Sequence, residues 1–249
     1  MNPILETRAL CKNFAALMVA QEINFTLEAG ARHALIGPNG AGKTTLVNML
    51  MGGLAPSSGS ILLSGEEVTR QSQRQRVKRG LARTYQINSL FRTLLVLDNV
   101  ALAVAERHGV GWGLFRAASG YRGVIEESMQ VLESLGLTDD AKQPLMSIPY
   151  GKQRLVEIAI ALAMRPKVLL LDEPAAGIPS LESHRLLEVL DSLPAEIAIL
   201  IIEHDMELVF RFARRITVLA QGAVLMEGDP GEVRRDERVR QVYLGERHG

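Results

Sequence analysis

The sequence has almost no cysteine. Its 249 residues include one, Cys11, so no disulfide bond can form within the chain. Such sparse cysteine usage is typical of proteins that work in a reducing compartment. We interpret Cys11 as a small, half-buried residue near the end of a strand.

Long apolar runs and an excess of either charge are also missing. The best apolar run, Ile197–Ile202, lies between Glu196 and Glu203, and it is far shorter than the roughly 20 residues that a membrane-spanning helix needs. We predict a buried parallel strand there, so any membrane role would need a partner. Lys plus Arg and Asp plus Glu both number 28, which argues against nucleic acid or an anionic membrane surface as the partner.

A glycine-rich stretch matches the phosphate-binding pattern G-x-x-x-x-G-K-[ST]. It follows a strand-like run and precedes a helix-like run, Thr45–Met51, and this context makes a plain surface turn the weaker interpretation. Lys43 would bridge the β- and γ-phosphates of a nucleotide, and the Thr44 hydroxyl would hold Mg²⁺. The sequence therefore predicts binding of a nucleoside triphosphate. The residues of this P-loop are Gly37, Pro38, Asn39, Gly40, Ala41, Gly42, Lys43 and Thr44.

Two carboxylates end a second apolar run. Asp172 and Glu173 follow Val168–Leu171 and precede Pro174, so a polar strand end leading into a turn is the alternative. In open α/β sheets the strand ends face the ligand crevice. With a P-loop upstream, we expect Asp172 to hold Mg²⁺ and Glu173 to act as general base toward the attacking water.

Two further polar residues have weaker signals. His204 follows the apolar run that ends at Ile202, where it could reach a γ-phosphate, although a lone histidine is usually structural. Gln86 stands at the entry to a middle segment with helical spacing. We take both as candidate catalytic residues.

Strand and helix patterns alternate on both sides of a helical middle. This pattern predicts an α/β core with a short antiparallel hairpin at Ser64-Gly65 and another around Gln221-Gly222. We expect residues 71–79 to form a helix with a solvated basic face. We expect residues 108–120 to form an insertion between two helices.

These features resemble, in their order along the chain, the ABC-type ATPases. The P-loop, Gln86, the turn Ile148–Lys152, the Asp172-Glu173 pair and His204 carry the resemblance. The chain is most similar to the LivG-like ATP-binding subunits of branched-chain amino acid importers. That subgroup is suggested by the stretches 39–45 with 91–99, 171–177, and 227–233 with 242–245.

The resemblance implies a single ABC ATP-binding domain over residues 1–249. Its P-loop NTPase (RecA-like) core would comprise residues 1–87 and 163–249, with an antiparallel β subdomain. An α-helical subdomain at about 88–162 would be inserted into this core. The implied cofactors are ATP and Mg²⁺, and the implied activity is ATP hydrolysis coupled to transport.

The resemblance also assigns roles to residues. Phe14 would stack on adenine, Asn39–Thr45 would wrap the phosphates, and His204 would bond the γ-phosphate. Gln86 would contact Mg²⁺ or the attacking water and would sense the membrane partner, which makes it a candidate metal ligand. The turn 149–152 would face the ATP of the opposite subunit in a head-to-tail dimer. The nucleotide-contacting residues of that turn are Tyr150, Gly151 and Lys152.

The partners implied are a second copy or a second ABC ATPase, integral membrane permease subunits and, through them, a periplasmic or extracellular solute-binding protein. The implied location is peripheral, on the cytoplasmic side of the cell membrane, with no nucleic-acid partner. Two alternatives stay open: an ATPase of a lipid or lipopolysaccharide export system, and a soluble ABC ATPase. The latter class usually has two cassettes or a long coiled-coil insertion, and neither fits in 249 residues.

Two positions depart from the family pattern. Pro149 lacks the serine hydroxyl that usually bonds the phosphate, so the backbone N–H groups of Tyr150 and Gly151 would have to suffice. Pro179 stands where relatives often have Asp or Asn in the loop that passes signals between the two sites. Ser180 is the candidate substitute there.

Overall fold

A computed structural model of the chain describes residues 3–84, 90–109 and 118–244, except the side chains of 118–121, 180, 181 and 244. It divides into two compact units. Unit 1 comprises residues 1–81, 167–174 and 194–249, and unit 2 comprises residues 82–166 and 175–193. In the described part of the chain, no helix is long and apolar enough to cross a bilayer.

The strands form two sheets. The strands are β1 Leu5–Phe14, β2 Leu17–Leu27, β3 Arg32–Ile36, β4 Ser58–Leu63, β5 Glu66–Glu67, β6 Leu81–Arg83, β7 Val168–Asp172, β8 Ala198–Ile202, β9 Arg215–Ala220 and β10 Ala223–Gly228. One sheet has the order β2-β1-β4-β5 with antiparallel pairing, and the other has the order β10-β9-β3-β8-β7-β6. In the second sheet β9, β3, β8 and β7 run parallel, and β10 is antiparallel to β9.

The helices fall into both units. Unit 1 contains α1 Lys43–Met51, α2 Gln73–Lys78, α7 Met206–Phe212, α8 Pro230–Arg235 and α9 Glu237–Leu244. Unit 2 contains α3 Val96–Arg107, α4 Ala118–Ser134, α5 Tyr150–Ala163 and α6 Ser180–Ser192, with short 3₁₀ turns at Thr138–Asp140 and Leu145–Ser147.

The central strands β3 and β8 are completely buried, and β8 is apolar on both faces. All five residues of β8 are buried, as are those of β3. Helix α1 adds a buried face of Leu46, Val47 and Leu50 to the same apolar core. This is the burial that a parallel strand flanked by helices requires, and it confirms the predicted strand within 197–202.

This core also contains a hydrogen-bonded histidine. His33 on β3 contacts the Thr217 hydroxyl on β9 at 2.8 Å, and that hydroxyl donates to Glu227 at 2.8 Å. Burial lowers the pKa of His33 to about 4, so the imidazole is neutral at pH 7 and adds no uncompensated charge beneath the P-loop strand.

The prediction that residues 71–79 form a helix with a solvated basic face is wrong at one residue. Arg76 of α2 is buried, 1 % exposed. Its guanidinium donates to the carbonyls of Met49 and Leu50 at 2.6 Å and to that of Thr69 at 2.9 Å. Two of these carbonyls lie in the last turn of α1, where a cation also complements the helix dipole. The pattern of charged residues in the sequence does not reveal these carbonyl partners, because those in α1 are distant from Arg76 along the chain.

The remaining predicted elements are present with shifted bounds. Helix α4 begins at Ala118, inside the segment 108–120 that we expected to form an insertion. Residues 110–117 of that segment lie outside the described residues. Helix α8 was not predicted, although its signal is in the sequence: Asp229 and Glu232 form a capping box around Pro230.

A carboxylate cluster ties the helices of unit 2 together. Glu127 on α4 accepts from Arg107 at the end of α3, from the His108 ring at 2.8 Å and from Arg165 at 2.6 Å. These partners, with the Arg107 hydrogen bond the strongest effect, lower the pKa of Glu127 to about 2. The cluster joins α3, α4 and the segment after α5 at one point.

We predict that Glu127→Gln lowers the free energy of unfolding at pH 7 by about 1–3 kcal/mol, since hydrogen bonds to a charged group are lost. The lowered pKa stabilises the folded state above about 4.5, and this contribution is lost as the pH falls toward about 2. Urea unfolding at pH 7, 4 and 3 should therefore show a shrinking difference between wild type and variant.

The neighbouring Glu126→Gln is the matched control. Glu126 is exposed and lies 3.6 Å from Arg122 in a surface ion pair. Such exposed pairs contribute little to the free energy of unfolding. An equal effect of the two substitutions, or a Glu127 effect that does not depend on pH, would contradict the prediction.

Candidate functional site

The P-loop connects β3 to α1 in unit 1, as predicted. Gly42 caps α1 with φ 98°, a left-handed conformation that favours glycine. Lys43 is the first helical residue, and its ammonium donates to the carbonyls of Gly37 at 2.5 Å and Pro38 at 3.0 Å. The ammonium thus lies over the loop's own backbone, where a nucleotide phosphate would attract it.

The hairpin turn between β9 and β10 supports the P-loop. The Gly222 N–H donates to the Ala41 carbonyl at 3.1 Å. A β-carbon at Gly222 would lie 2.5 Å from the Val19 carbonyl oxygen, and one at Gly42 would lie 2.8 Å from the same oxygen. The loop, the turn and β2 therefore meet without room for a side chain. Sequence reasoning found the turn but not this contact, because the partners are far apart along the chain.

Three strand ends meet at one edge of the six-stranded sheet. Ile202 of β8 is paired with Leu35 of β3 on one side and with Asp172 of β7 on the other. The residues that follow these positions are the P-loop, His204 and Glu173. Because parallel strands present their carboxyl ends at a common edge, the predicted phosphate, base and histidine positions lie along it in this order: P-loop, His204, Glu173.

Glu173 and His204 are neighbours in the structure. The His204 Nδ1 atom lies 3.6 Å from a Glu173 carboxylate oxygen, and both side chains are half exposed or more. Glu173 has φ 46°, an uncommon left-handed conformation for a non-glycine residue, and its N–H donates to the Ile202 carbonyl at 2.9 Å. Backbone strain of this kind clusters at functional sites.

Few protein oxygen atoms are available as ligands for Mg²⁺, and this ion needs only a few from the protein. Thr44 is exposed in the first turn of α1, and Asp172 ends β7 in the same unit. Among the described residues, no cluster of three or more His, Cys, Asp or Glu could hold a metal. Mg²⁺ is usually held by one or two protein oxygens together with substrate phosphates and water, so a hydroxyl and a carboxylate fit it. Gln86, the third predicted ligand, lies outside the described residues.

Phe14 ends β1 with its ring 48 % exposed. The Lys12 ammonium lies 5.1 Å from the ring centroid. β2 begins three residues later, at Leu17, and its Val19 carbonyl reaches the P-loop glycine as described above. An exposed aromatic ring on the hairpin that contacts the P-loop is consistent with a base-stacking role, which stays a prediction.

Helix α5 of unit 2 begins at the predicted turn. Pro149 is its N-cap and supplies no side-chain cap, so the backbone N–H groups at Tyr150 and Gly151 open the helix. The Lys152 ammonium donates to both oxygens of the Asp140 carboxylate at 2.9 and 2.8 Å. Its predicted contact with ATP stays a prediction, and Asp140 is a partner that sequence reasoning missed.

A buried ion pair follows this turn on α5. Arg154 donates to Glu157 at 2.9 Å, and both side chains are almost completely buried. Burial raises the pKa of Glu157 to about 7, although Arg154 acts in the opposite direction. The Arg154 guanidinium also lies 5.4 Å from the Tyr150 ring centroid, so the pair holds the first residue of the helix.

The second unusual proline caps the next helix. Pro179 is the N-cap of α6 with no side-chain cap. The side chain of Ser180, the candidate substitute, is not among those described. The effect of both positions on communication between sites therefore stays a prediction.

Comparison with known proteins decides the family. Residues 20–176 match the model of the ABC transporter family. This chain belongs to that family. Positions 223–249 match a second model, that of the branched-chain amino acid ATP-binding cassette transporter. The resemblance read from the motifs is thus confirmed, and the chain is an ATP-binding cassette of the ATP-hydrolysing type.

Curated relatives of this ABC ATPase match over nearly its whole length. It is 36 % identical to the high-affinity branched-chain amino acid transport ATP-binding protein BraF of Pseudomonas aeruginosa, with 98 % of each chain covered. It is also 36 % identical to the corresponding LivG protein of Escherichia coli, again with 98 % of each chain covered.

A solved structure gives the same result for the fold. The ADP conformation of an ATP-binding cassette of an ABC transporter is 26 % identical, with a TM-score of 0.85 over 98 % of this chain and 100 % of that one. The predicted fold class, a P-loop NTPase core with α/β organisation, is confirmed.

We predict that Gly222→Ala weakens ATP binding by on the order of tenfold or more, since small displacements of positioning groups are costly. The added methyl group would collide with the Val19 carbonyl at 2.5 Å and push the turn against the P-loop. Titration with a fluorescent ATP analogue measures the effect.

Gly65→Ala is the matched control. Gly65 also lies in a hairpin turn with positive φ, 79°, but a β-carbon there meets nothing within 4 Å. Alanine is strained in this left-handed conformation, so the substitution should lower stability by about 1–2 kcal/mol. The ATP affinity of this variant should be unchanged. Equal ATP affinity in the two variants would contradict a supporting role of the turn.

Proposed function

We propose that this chain is the ATP-hydrolysing, energy-coupling subunit of an ABC importer for branched-chain amino acids or related small solutes. The observation that carries the catalytic part is the pairing of Ile202 with both Leu35 and Asp172, because it aligns the P-loop, His204 and Glu173 along one sheet edge. The solute class is supported by the similarity to branched-chain amino acid transport ATP-binding proteins and by the match over 223–249.

The P-loop and α1 would bind the triphosphate. Backbone N–H groups and the helix N-terminus attract the phosphate oxygens, and Lys43 would exchange the carbonyls of Gly37 and Pro38 for the β- and γ-phosphates. Thr44 and Asp172 would hold Mg²⁺, with Gln86 as the proposed third contact. Bound Mg²⁺ would neutralise charge on the phosphate oxygens as it develops.

Glu173 would then accept a proton from the attacking water. The water oxygen forms a bond to the γ-phosphorus as the bond to the ADP oxygen breaks, and ADP takes the electron pair of that bond. His204, 3.6 Å from the Glu173 carboxylate, lies where one ring nitrogen can face the base and the other the γ-phosphate. These are general-base and positioning roles of known type.

The site would be completed by a second subunit. The N-terminus of the partner's α5, at Tyr150 and Gly151, would face the γ-phosphate, so two ATP molecules would lie between two cassettes. The partner would be a second copy or another ABC ATPase. Permease subunits would hold the dimer on the cytoplasmic side of the cell membrane, and a solute-binding protein would supply the solute. The alternative of an export system has the same ATPase chemistry.

We expect Glu173→Gln to lower ATP turnover by about 10²–10⁴-fold, as loss of a general base does, while ATP still binds and holds a dimer together. Phosphate release and sedimentation velocity with ATP measure the two effects. Glu207→Gln, an exposed acid in the first turn of α7, is the control and should keep full turnover. Substantial ATP turnover by the Glu173→Gln variant would contradict the assignment of Glu173 as the general base.

The direction of transport and the solute class are tested with the native membrane complex. Permease subunits that co-purify with the chain would be reconstituted in vesicles together with their solute-binding protein. We expect ATP-dependent uptake of radiolabelled leucine, isoleucine or valine, absent when the complex contains Glu173→Gln. ATP-driven movement of lipid, or no movement of any of these amino acids, would favour the alternative.

A further inference from the structure

Glu203 is a buried carboxylate that the proposed chemistry does not use. It directly follows β8, and only 2 % of its surface is exposed. Removing a carboxylate from water is costly unless hydrogen-bond donors or a positive charge compensate it. The contacts of Glu203 therefore indicate which group it serves.

The Oε2 atom of Glu203 faces the next residue, His204. It accepts a hydrogen bond from the His204 backbone N–H at 3.2 Å and lies 3.9 Å from the ring atom Nδ1. The Oε1 atom of Glu173 lies 3.6 Å from the same Nδ1. Two carboxylates, one after β7 and one after β8, thus meet at one ring nitrogen. Contacts of this length commonly shorten when a substrate binds.

The two carboxylates differ in their exposure to water. Half of the Glu173 side chain is exposed, whereas Glu203 is almost completely buried. A buried charge is screened less by water and salt than an exposed one, which favours Glu203 as the steadier partner of the ring. The carboxylate of Asp205, on the other side of His204 along the chain, accepts from two N–H groups in the first turn of α7 and caps that helix.

We propose that Glu203 is a positioning residue that holds Nδ1 of His204, so that the other ring nitrogen, Nε2, meets the γ-phosphate. The inference rests on the proposed function, in which His204 contacts both the general base and the γ-phosphate. Ionised carboxylate oxygens only accept hydrogen bonds, and so do those of an ionised phosphate. The ring would therefore donate from both nitrogens, and carry a positive charge, while ATP is bound.

A second carboxylate matters because the first changes its charge during the reaction. As the general base, Glu173 loses its negative charge when it takes a proton from the attacking water. Glu203 would keep its charge through this step, because water has little access to a carboxylate that is almost completely buried. The His204 ring would then stay in place against the charge that develops on the γ-phosphate.

The first test reads the His204 ring directly and needs no nucleotide. Nitrogen NMR of protein labelled at histidine resolves the two ring nitrogens, and the His204 signals are those that disappear in His204→Ala. We expect the wild-type Nδ1 signal to be that of a protonated nitrogen. Glu203→Gln, which keeps the size of the side chain and removes its charge, should shift that signal toward the unprotonated value.

Glu227→Gln is the matched control for the ring signals. Glu227 is a mostly buried glutamate of the same unit, and it accepts from Arg215 and from the Thr217 hydroxyl. Its replacement removes the same charge from a place without a recorded contact to His204. The His204 ring signals should therefore be unchanged in this variant.

The second test measures single-turnover hydrolysis of ATP that is radiolabelled at the γ-phosphate. Glu203→Gln should slow this step by about tenfold or more, as small displacements of a positioned group do, with a much smaller effect on ATP affinity. The slowing should be absent in the His204→Ala background, because Glu203 would act through that ring. Glu203→Asp, which keeps the charge, should have an intermediate rate.

The outcomes separate the inference from the proposed function. Unchanged His204 signals in folded Glu203→Gln would overturn the positioning role alone, and so would an equal slowing with and without the His204 ring. If hydrolysis by His204→Ala is too slow to measure, the ring signals decide. If Glu203→Gln does not fold, wild-type signals and rate in Glu203→Asp would overturn the role. Absence of ATP hydrolysis by the wild-type membrane complex would overturn the proposed function and, with it, this inference.

Discussion

The alignment of three parallel strands is the constraint on which the proposed chemistry depends. β8 lies between β3 and β7, and its last residue is in register with both neighbours. Hydrogen bonds of the sheet therefore place the P-loop and the two proposed catalytic side chains before any nucleotide binds. A buried apolar strand, unable to slip without exposing its residues to water, keeps this register.

The second unit is organised by charges that are matched locally. Asp140 holds Lys152, Glu157 holds Arg154, and Glu127 holds Arg107 and Arg165. Each pair satisfies a group that would be costly if it were left unpaired in a partly buried place. The turn that begins α5 is thus held by the ion pair of Lys152 with Asp140 and by the contact of Arg154 with the Tyr150 ring.

The strand ends that carry the proposed site residues could be predicted because each is a local sequence pattern. An apolar run followed by Gly37, by Asp172 or by His204 can be recognised without knowing what lies beside it. The contacts that the sequence did not predict all join distant positions: Arg76 with the end of α1, Gly222 with Ala41, and Lys152 with Asp140. A charged residue carries no local sign of whether its partner is water or a carbonyl elsewhere in the fold. Gln86 lies outside the described residues, so its position cannot be compared.

The left-handed backbone of Glu173 has a consequence for laboratory evolution of this fold. A residue with a β-carbon is strained there, and glycine would adopt φ 46° without that cost. Replacement by glycine would therefore remove the proposed base and relax the chain in one step. Selection for thermal tolerance alone would favour more stable cassettes that lack this proposed base, so such a screen must also reward catalysis.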